Sequence, residues 1–198
     1  MNIKKIEIFL KSFNWSTLQR MYGNPHPSII GLISSEWINQ SESNSVLDGA
    51  PASITGKGRT NQQHADVLLC KDDKPYVAVE VENNVSKYSE KIDSLWNYLH
   101  NNEVFRGMEL GLLIMTNGYA DETVRLANKH NWTPIKAKVK KGKYSVALVS
   151  IEKSKATLDD SALGRLRKPS KYYPWDIVSV DYWLFDGKKI REGNLWKK

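Results

Sequence analysis

The chain has 198 residues, of which 40% are hydrophobic and 26% are charged, a composition that predicts one folded domain and excludes a disordered chain. No apolar run reaches the roughly 20 residues of a membrane-spanning helix, and charged residues interrupt the N-terminal stretch where a signal peptide would be apolar. We therefore expect an intracellular, cytoplasmic protein. The single cysteine, Cys70, excludes an intrachain disulfide and a cysteine zinc cluster.

The net charge of +7 is unevenly distributed along the chain. Residues 134–198 carry 16 Lys and Arg against 7 Asp and Glu, a net charge of +9, whereas residues 1–133 have a net charge of −2. This segregation indicates a polyanionic partner for the basic part. A basic surface that only keeps the protein soluble is the alternative.

Apolar spacing in the first half of the chain predicts two helices and a strand hairpin. The helices cover the first 20 residues and Ser28–Gln40, with Pro27 near a helix start. Residues 41–63 are rich in Ser, Asn, Gly and Gln and predict a loop with room for one short strand. The strands are predicted at Ala65–Cys70 and Tyr76–Glu82, joined by a five-residue loop.

The second half of the chain alternates helix-like and strand-like segments. Ser86–His100 has the spacing of an amphipathic helix, and the apolar run Leu110–Thr116 predicts a strand buried on both faces. Further elements are predicted at 121–130 (helix), 135–139, 144–151 and 177–185 (strands), and 158–166 (short helix). The order predicts an α/β domain with a mixed sheet over residues 1–150. Residues 151–198 are expected to form a basic, aromatic C-terminal extension packed on it.

The second strand of the hairpin carries two carboxylates on one face. Side chains alternate along a strand, so Glu80 and Glu82 share a face while Val77, Val79 and Val81 share the other. The remaining residues of the carboxylate face are predicted to be Tyr76 and Ala78. A solvent-facing strand that Glu residues keep soluble is the alternative interpretation.

The first strand supplies a third carboxylate. If the hairpin closes symmetrically around Asp73, Cys70 faces Tyr76 and Asp66 faces Glu80. Facing residues have Cβ atoms about 4.5–5.5 Å apart, close enough for two carboxylates to bind one divalent ion. Like charges at this spacing repel and raise pKa values unless a cation neutralises them. A hard cation with oxygen ligands, such as Mg²⁺, matches this chemistry.

Asp66, a 13-residue gap and Glu80-Val81-Glu82 form a string that resembles the PD-(D/E)XK nuclease superfamily, which includes type II restriction endonucleases, Holliday-junction resolvases and repair nucleases. The resemblance covers the chain from about Glu36 to Thr116. It implies a restriction-endonuclease-like core, a central mixed β-sheet flanked by helices. It also implies Mg²⁺, with Mn²⁺ as a substitute, held by Asp66, Glu80 and the Val81 carbonyl.

The chain departs from the superfamily pattern at two positions. Ala65 stands where the motif has Pro, and Glu82 stands where the superfamily usually has Lys. Some restriction enzymes are similar to this chain in having Glu there. The resemblance leaves the group that orients or deprotonates water open between Glu82 and Lys87, with Lys91 one turn further along the predicted helix.

Other site residues follow from the resemblance or from charge. Several superfamily members use a helix Glu as an additional metal or water ligand, which implies Glu36, with Glu7 and Glu42 as competing candidates. His64 would share a strand face with Asp66 and contact substrate or water. Phosphate contacts are predicted for nine basic residues: Lys57, Arg59, Lys140, Lys141, Lys143, Arg165, Arg167, Lys168 and Lys171.

Together these features predict a Mg²⁺-dependent DNA endonuclease that cuts double-stranded DNA, of the type II restriction class. Cutting both strands requires two active sites, so a homodimer is expected. Tyr172, Tyr173 and Trp175 are candidates for stacking on bases. A structure-specific nuclease, such as a junction resolvase or repair enzyme, and a non-catalytic DNA-binding module with a degenerate site are the two alternatives.

Overall fold

The chain is an α/β protein. A computed structural model describes residues 1–18, 20–22, 26–48, 65–83, 87, 90–91, 95, 108–118, 145–155, 174–185 and 190–198. Its elements in chain order are α1 (Ile3–Lys11), a short 3₁₀ helix (Trp15–Leu18), β1 (Arg20–Tyr22), α2 (His26–Gln40), β2 (Asn44–Asp48), β3 (Val67–Lys71), β4 (Lys74–Glu82), β5 (Leu110–Gly118), β6 (Ser145–Lys155), β7 (Pro174–Phe185) and β8 (Ile190–Lys197). In this part of the chain, no helix is long and apolar enough to cross a membrane.

All eight strands belong to one mixed sheet, ordered β1-β7-β6-β5-β4-β3-β2, with β8 also paired to β7. The central strands β4, β5 and β6 run parallel, and the remaining pairs are antiparallel. The prediction of an α/β fold with a mixed sheet is therefore confirmed. Strand β6 crosses residue 150 and pairs with β7. The sheet thus continues into the segment that was predicted to be an extension.

The two long helices cover one face of this sheet. Ile6, Phe9 and Leu10 are the buried residues of α1. Helix α2 buries Ile29, Ile33 and Trp37, which are four residues apart and so lie on one side of the helix. Both sets pack in one core cluster with the even-numbered apolar residues of β5 and the odd-numbered valines of β4. The predicted valine face of the hairpin is therefore the core face.

The hairpin turn is tighter than predicted. It contains only Asp72 and Asp73, whose φ angles of 50° and 57° are those of a two-residue turn that follows the twist of the strands. Lys71 pairs with Lys74, and Cys70 pairs with Pro75. The predicted five-residue loop and the symmetric closure around Asp73 are therefore wrong.

A register shift corrects the pairing before it reaches the carboxylates. It lies between Leu69 and Cys70, and Val67 pairs with Val79 in the predicted register. Asp66 thus precedes the position that faces Glu80, as predicted, whereas the Cys70–Tyr76 pair is wrong. The shift leaves Tyr76 as an extra residue, which changes its face.

Tyr76 lies on the helix side of the sheet. Its ring stacks on Trp37 of α2 at a centroid distance of 5.9 Å and an interplanar angle of 13°. It packs against the core cluster that contains Val77. The prediction that Tyr76 shares the face of Glu80 is therefore wrong. Tyr76 is the extra residue of the bulge, and the bulge interrupts the alternation of side chains along β4.

Several predicted elements are confirmed, and others lie outside the described residues. Helix α2 begins two residues before the predicted Ser28, with Pro27 in its first turn. The buried strand at Leu110–Thr116 is within β5, and every one of these seven residues is buried. The predicted elements at 121–130, 135–139 and 158–166, and most of Ser86–His100, fall outside the described ranges.

Candidate active site

Asp66 lies directly before β3 and hydrogen-bonds the backbone of β4 near the end of that strand. Strand β3 begins at Val67, so the last residues of β4 extend past it. The Asp66 carboxylate takes the place of a strand neighbour: its Oδ2 accepts a hydrogen bond of 2.7 Å from the backbone N–H of Val81. The N–H and C=O of a strand residue point to the same side, so the Val81 carbonyl also faces Asp66.

The start of α2 reaches the same carboxylate. Nε2 of His26, the first residue of α2, lies 3.2 Å from Asp66 Oδ2. The N-terminus of a helix carries a partial positive charge, which stabilises a carboxylate placed there. Asp66 is therefore held by a strand amide and an imidazole, which fix its position without burying it completely.

Glu80 is the buried carboxylate of the site. Only 4% of its side chain is exposed, and Lys91 Nζ donates a hydrogen bond of 2.6 Å to its Oε2. The pKa of Glu80 is raised to about 7: burial is the largest cause, Lys91 lowers the pKa, and the nearby Asp66 carboxylate raises it. Repulsion between the carboxylates is present as predicted, but burial is the larger cause.

Lys91 faces all three carboxylates of the site. Burial opposes its charge, yet the hydrogen bond and charge of Glu80, with the charges of Asp66 and Glu82, raise the pKa of Lys91. It is therefore an ammonium at neutral pH. Leu95, four residues further on, is buried, so this side of the helical segment is turned toward the protein.

Glu82 lies at the end of β4 and is half-buried. Its Oε1 accepts a hydrogen bond of 2.8 Å from the backbone N–H of Asn83. It shares the face of Glu80, two residues away, as the strand alternation predicts. We call the group formed by Asp66, Glu80, Glu82 and Lys91 the carboxylate–lysine cluster.

The donor set of this cluster fits Mg²⁺. Among the described residues, no three His, Cys, Asp or Glu side chains converge in metal-binding geometry. Mg²⁺ is usually held by only one or two carboxylates, with water and substrate oxygens completing its coordination. Asp66 and Glu80 supply two carboxylates, and the Val81 carbonyl supplies a third protein oxygen on the same side.

Comparisons with protein-family models, curated proteins and solved structures gave no significant match.

Of the sequence-predicted residues, the structure brings Asp66, Glu80, Val81 and Glu82 together. All four lie where β4 ends beside the parallel strand β5. Crevices outside the carboxyl ends of parallel strands are common ligand sites in α/β proteins.

The structure does not bring Glu36 or Lys87 to this cluster. Glu36 lies ten residues beyond His26 in α2, about 15 Å along the helix axis. Lys87 is exposed. Of the competing candidates, Glu7 instead accepts a hydrogen bond of 3.3 Å from the Tyr182 hydroxyl, and Glu42 is exposed.

The other predicted contacts lie outside the described residues. They are His64, the three aromatic residues Tyr172, Tyr173 and Trp175 (of which only the backbone of Trp175 is described), and the nine basic residues Lys57, Arg59, Lys140, Lys141, Lys143, Arg165, Arg167, Lys168 and Lys171. The predicted phosphate contacts therefore stay predictions.

Two residues of the site were not among the predicted catalytic residues. Lys91 had a signal: it lies one helical turn beyond Lys87, on the same side as Leu95. Lys91 Nζ contacts Glu80, so Lys91 lies at the level of Glu80 although it comes eleven residues later in the chain. His26 had no signal of this kind, because 40 residues separate it from Asp66.

Proposed function

We propose that this protein is a metal-dependent endonuclease that hydrolyses DNA phosphodiester bonds. The observation that carries the proposal is the placement of Asp66 beside the buried Glu80, with the Lys91 ammonium 2.6 Å from Glu80. Two adjacent carboxylates and an ammonium are the groups that hold a divalent cation and stabilise a negatively charged phosphate. This donor set supports phosphodiester hydrolysis better than a purely structural role.

Asp66 and Glu80, with the Val81 carbonyl, would hold the metal ion. When bound, the ion supplies a positive charge to the phosphate and lowers the pKa of water. The Val81 amide and His26 keep Asp66 in place during this chemistry. Because Asp66 is fixed by the backbone, it needs no rearrangement to act as a ligand.

Lys91 has a different task from that of a general base. Its raised pKa keeps it protonated at neutral pH, so it does not accept a proton from water. An ammonium beside the metal ligands stabilises negative charge that develops on the phosphate. Glu82, half-buried at the end of β4 and on the face of Glu80, would orient the attacking water.

The finer assignment within this class is a type II restriction endonuclease that acts on double-stranded DNA as a homodimer. The net charge of +9 on residues 134–198 supports a polyanionic substrate. A homodimer supplies the two active sites that a double-strand cut requires.

Incubation of the protein with Mg²⁺ and either plasmid or branched DNA tests the proposal. We expect discrete plasmid fragments; cleavage restricted to branched DNA would instead assign a resolvase or repair nuclease. Asp66→Asn and Glu80→Gln should lower the rate by about 100-fold or more. Asn retains an oxygen that accepts from the Val81 amide, so the Asp66 variant keeps the local fold.

Matched variants outside the carboxylate–lysine cluster complete this experiment. Lys91→Gln should lower the cleavage rate, whereas Lys87→Gln, on the same predicted helix, should leave it within about twofold of the parent protein. Glu36→Gln should likewise be silent, because Glu36 lies about 15 Å along α2 from His26. Binding of DNA without cleavage in Mg²⁺ or Mn²⁺ would contradict the enzyme and favour the non-catalytic module.

A further inference from the structure

A cavity of about 400 Å³ lies at the opposite end of the hairpin from the carboxylate–lysine cluster. Residues of α1, α2, β3 and β4 line it, among them Lys71 beside the hairpin turn. Asp66 and Lys71 are five residues apart across β3, which corresponds to about 17 Å in an extended strand. The cavity is therefore a separate site.

Aromatic rings form one wall of this cavity. Trp37 and Tyr76 both line it, and their rings are nearly parallel, 13° apart. The indole N–H of Trp37 donates a hydrogen bond of 2.9 Å to the Cys70 carbonyl, and Phe9 packs against the Trp37 ring at an interplanar angle of 70°. Trp37 is only 5% exposed and is covered by the Tyr76 ring, so the half-buried Tyr76 is the ring on which a flat ligand can stack.

The charge of the cavity favours an anion. Lys5 and Lys71 line it, and neither makes an ion pair with any other residue in the described part of the chain. Both side chains are exposed. None of the described residues that line the cavity is an Asp or Glu. The Met1 ammonium also lines the cavity, but Glu109 pairs with it at 3.3 Å. Lys5 and Lys71 are therefore the cations that would bind a carboxylate or phosphate group.

Two side-chain amides add hydrogen-bond acceptors. The Nε2 of Gln40 donates to the Ser12 hydroxyl at 2.9 Å, and the Nδ2 of Asn44 donates to the Trp37 carbonyl at 2.8 Å. Both residues line the cavity. Each amide nitrogen uses one of its two N–H groups in this way, and the carbonyl oxygen of each amide can accept from an N–H group of a ligand.

From this lining we propose that the cavity binds a nucleoside monophosphate whose base has an exocyclic amino group. The base stacks on the Tyr76 ring, which Trp37 supports from behind, and the amide oxygens accept from its amino group. The phosphate lies between Lys5 and Lys71. A volume near the lower end of the 300–1,000 Å³ typical of ligand sites suits one nucleotide unit rather than a dinucleotide cofactor. This binding goes beyond the proposed nuclease activity and does not depend on it.

Calorimetric titration of the full chain with AMP, adenosine and inorganic phosphate, without divalent metal, tests the proposal. AMP should bind at least about tenfold more tightly than adenosine, since a charge-assisted hydrogen bond contributes enough for such a factor. Lys5→Gln and Lys71→Gln should each weaken AMP binding by about tenfold. Lys4→Gln removes the same charge from α1 without touching the cavity lining, so it should bind AMP like the parent protein.

Three results would overturn this site. The first is no AMP binding at millimolar concentration, and the second is equal affinity for AMP and adenosine. The third is loss of AMP binding in Asp66→Asn, which would place the nucleotide in the carboxylate–lysine cluster instead. Retention of AMP binding by an Asp66→Asn variant that no longer cleaves DNA would separate the two sites. If the parent protein binds AMP and cuts no DNA, the nuclease proposal fails while this one stands.

Discussion

Glu80 combines an ionisable group with a buried position at the end of a central strand. Its carboxyl is surrounded by the sheet, by Lys91 and by Asp66. Burial disfavours the charged form, and Lys91 offsets only part of that penalty. The residue is therefore a source of instability in the folded protein, of the kind that functional sites often carry.

This instability predicts a pH dependence of folding. The pKa of Glu80 is raised from 4.5 to about 7 in the folded state. Below pH 4.5 the group is protonated in both states, and as pH rises toward 7 the unfolded state loses the proton first. The free energy of unfolding should therefore fall between about pH 4.5 and 7, by on the order of 3 kcal/mol from this residue.

Urea denaturation of metal-free protein at several pH values measures this effect. As pH rises to 8, the free energy of unfolding of the parent protein should fall relative to that of Glu80→Gln. Glu90→Gln, an exposed carboxylate on the helical segment of Lys91, should follow the parent protein. Parallel curves for the parent and Glu80→Gln would show that Glu80 titrates normally.

At the scale of elements, β8 depends on a residue without a side chain. Gly193 pairs with Tyr182 of β7, and a Cβ added to Gly193 would lie 2.5 Å from the nearest atom of the Tyr182 ring, closer than real Cβ atoms approach. Tyr182 is buried, and its hydroxyl donates to Glu7 of α1. Tyr182 thus contacts Gly193 of β8 through its ring and Glu7 of α1 through its hydroxyl.

Substitution of two glycines tests the close packing of β8. Gly193→Ala should lower the free energy of unfolding by about 1–3 kcal/mol, because the Tyr182 ring has to move. Gly31 is the matched control: it lies in α2, and an added Cβ would meet nothing within 4 Å. Gly31→Ala should raise the free energy of unfolding by about 0.5–1 kcal/mol. Equal effects of the two substitutions in denaturation would contradict the packing described.

Local patterns predicted the elements better than their connections. Alternation in β4 correctly predicted the valine core face and the carboxylate face, because both depend only on the period of a strand. The turn was mispredicted because Asp72 and Asp73 are not the Asn-Gly or Asp-Gly pair that marks a two-residue turn. The bulge that moves Tyr76 to the helix side depends on its contact with Trp37, a tertiary contact with no local signal.

The site was partly predictable for the same reason. Asp66, Glu80 and Glu82 belong to one hairpin, so strand geometry alone could place them together. Lys91 and His26 come from outside the hairpin. Lys91 contacts Glu80, and His26, the first residue of α2, contacts Asp66. Their positions depend on how whole helices pack on the sheet, which no short spacing in the sequence encodes.

At the scale of the whole molecule, the two proposed sites lie at opposite ends of the hairpin. The parallel strands β4 and β5 end beside the carboxylate–lysine cluster, and the cavity with the aromatic wall lies at the hairpin end of β4. The cluster end holds the buried Glu80 and the partly exposed Asp66, whereas the exposed Lys71 of β3 and Lys5 of α1 lie at the hairpin end. The difference in charge arises because Asp66 precedes β3 and Glu82 ends β4 at one end, whereas Lys71 ends β3 beside the hairpin turn at the other.

The function proposed for the carboxylate–lysine cluster requires that the cluster bind a divalent metal ion. Titration with Mn²⁺, followed by calorimetry or electron paramagnetic resonance, measures it without DNA. The parent protein should bind Mn²⁺, and Asp66→Asn and Glu80→Gln should each weaken that binding by about tenfold or more, since each removes one carboxylate ligand. Asp72→Asn, in the distant hairpin turn, should bind like the parent protein. Unchanged Mn²⁺ affinity in both cluster variants would contradict the assignment of Asp66 and Glu80 as metal ligands.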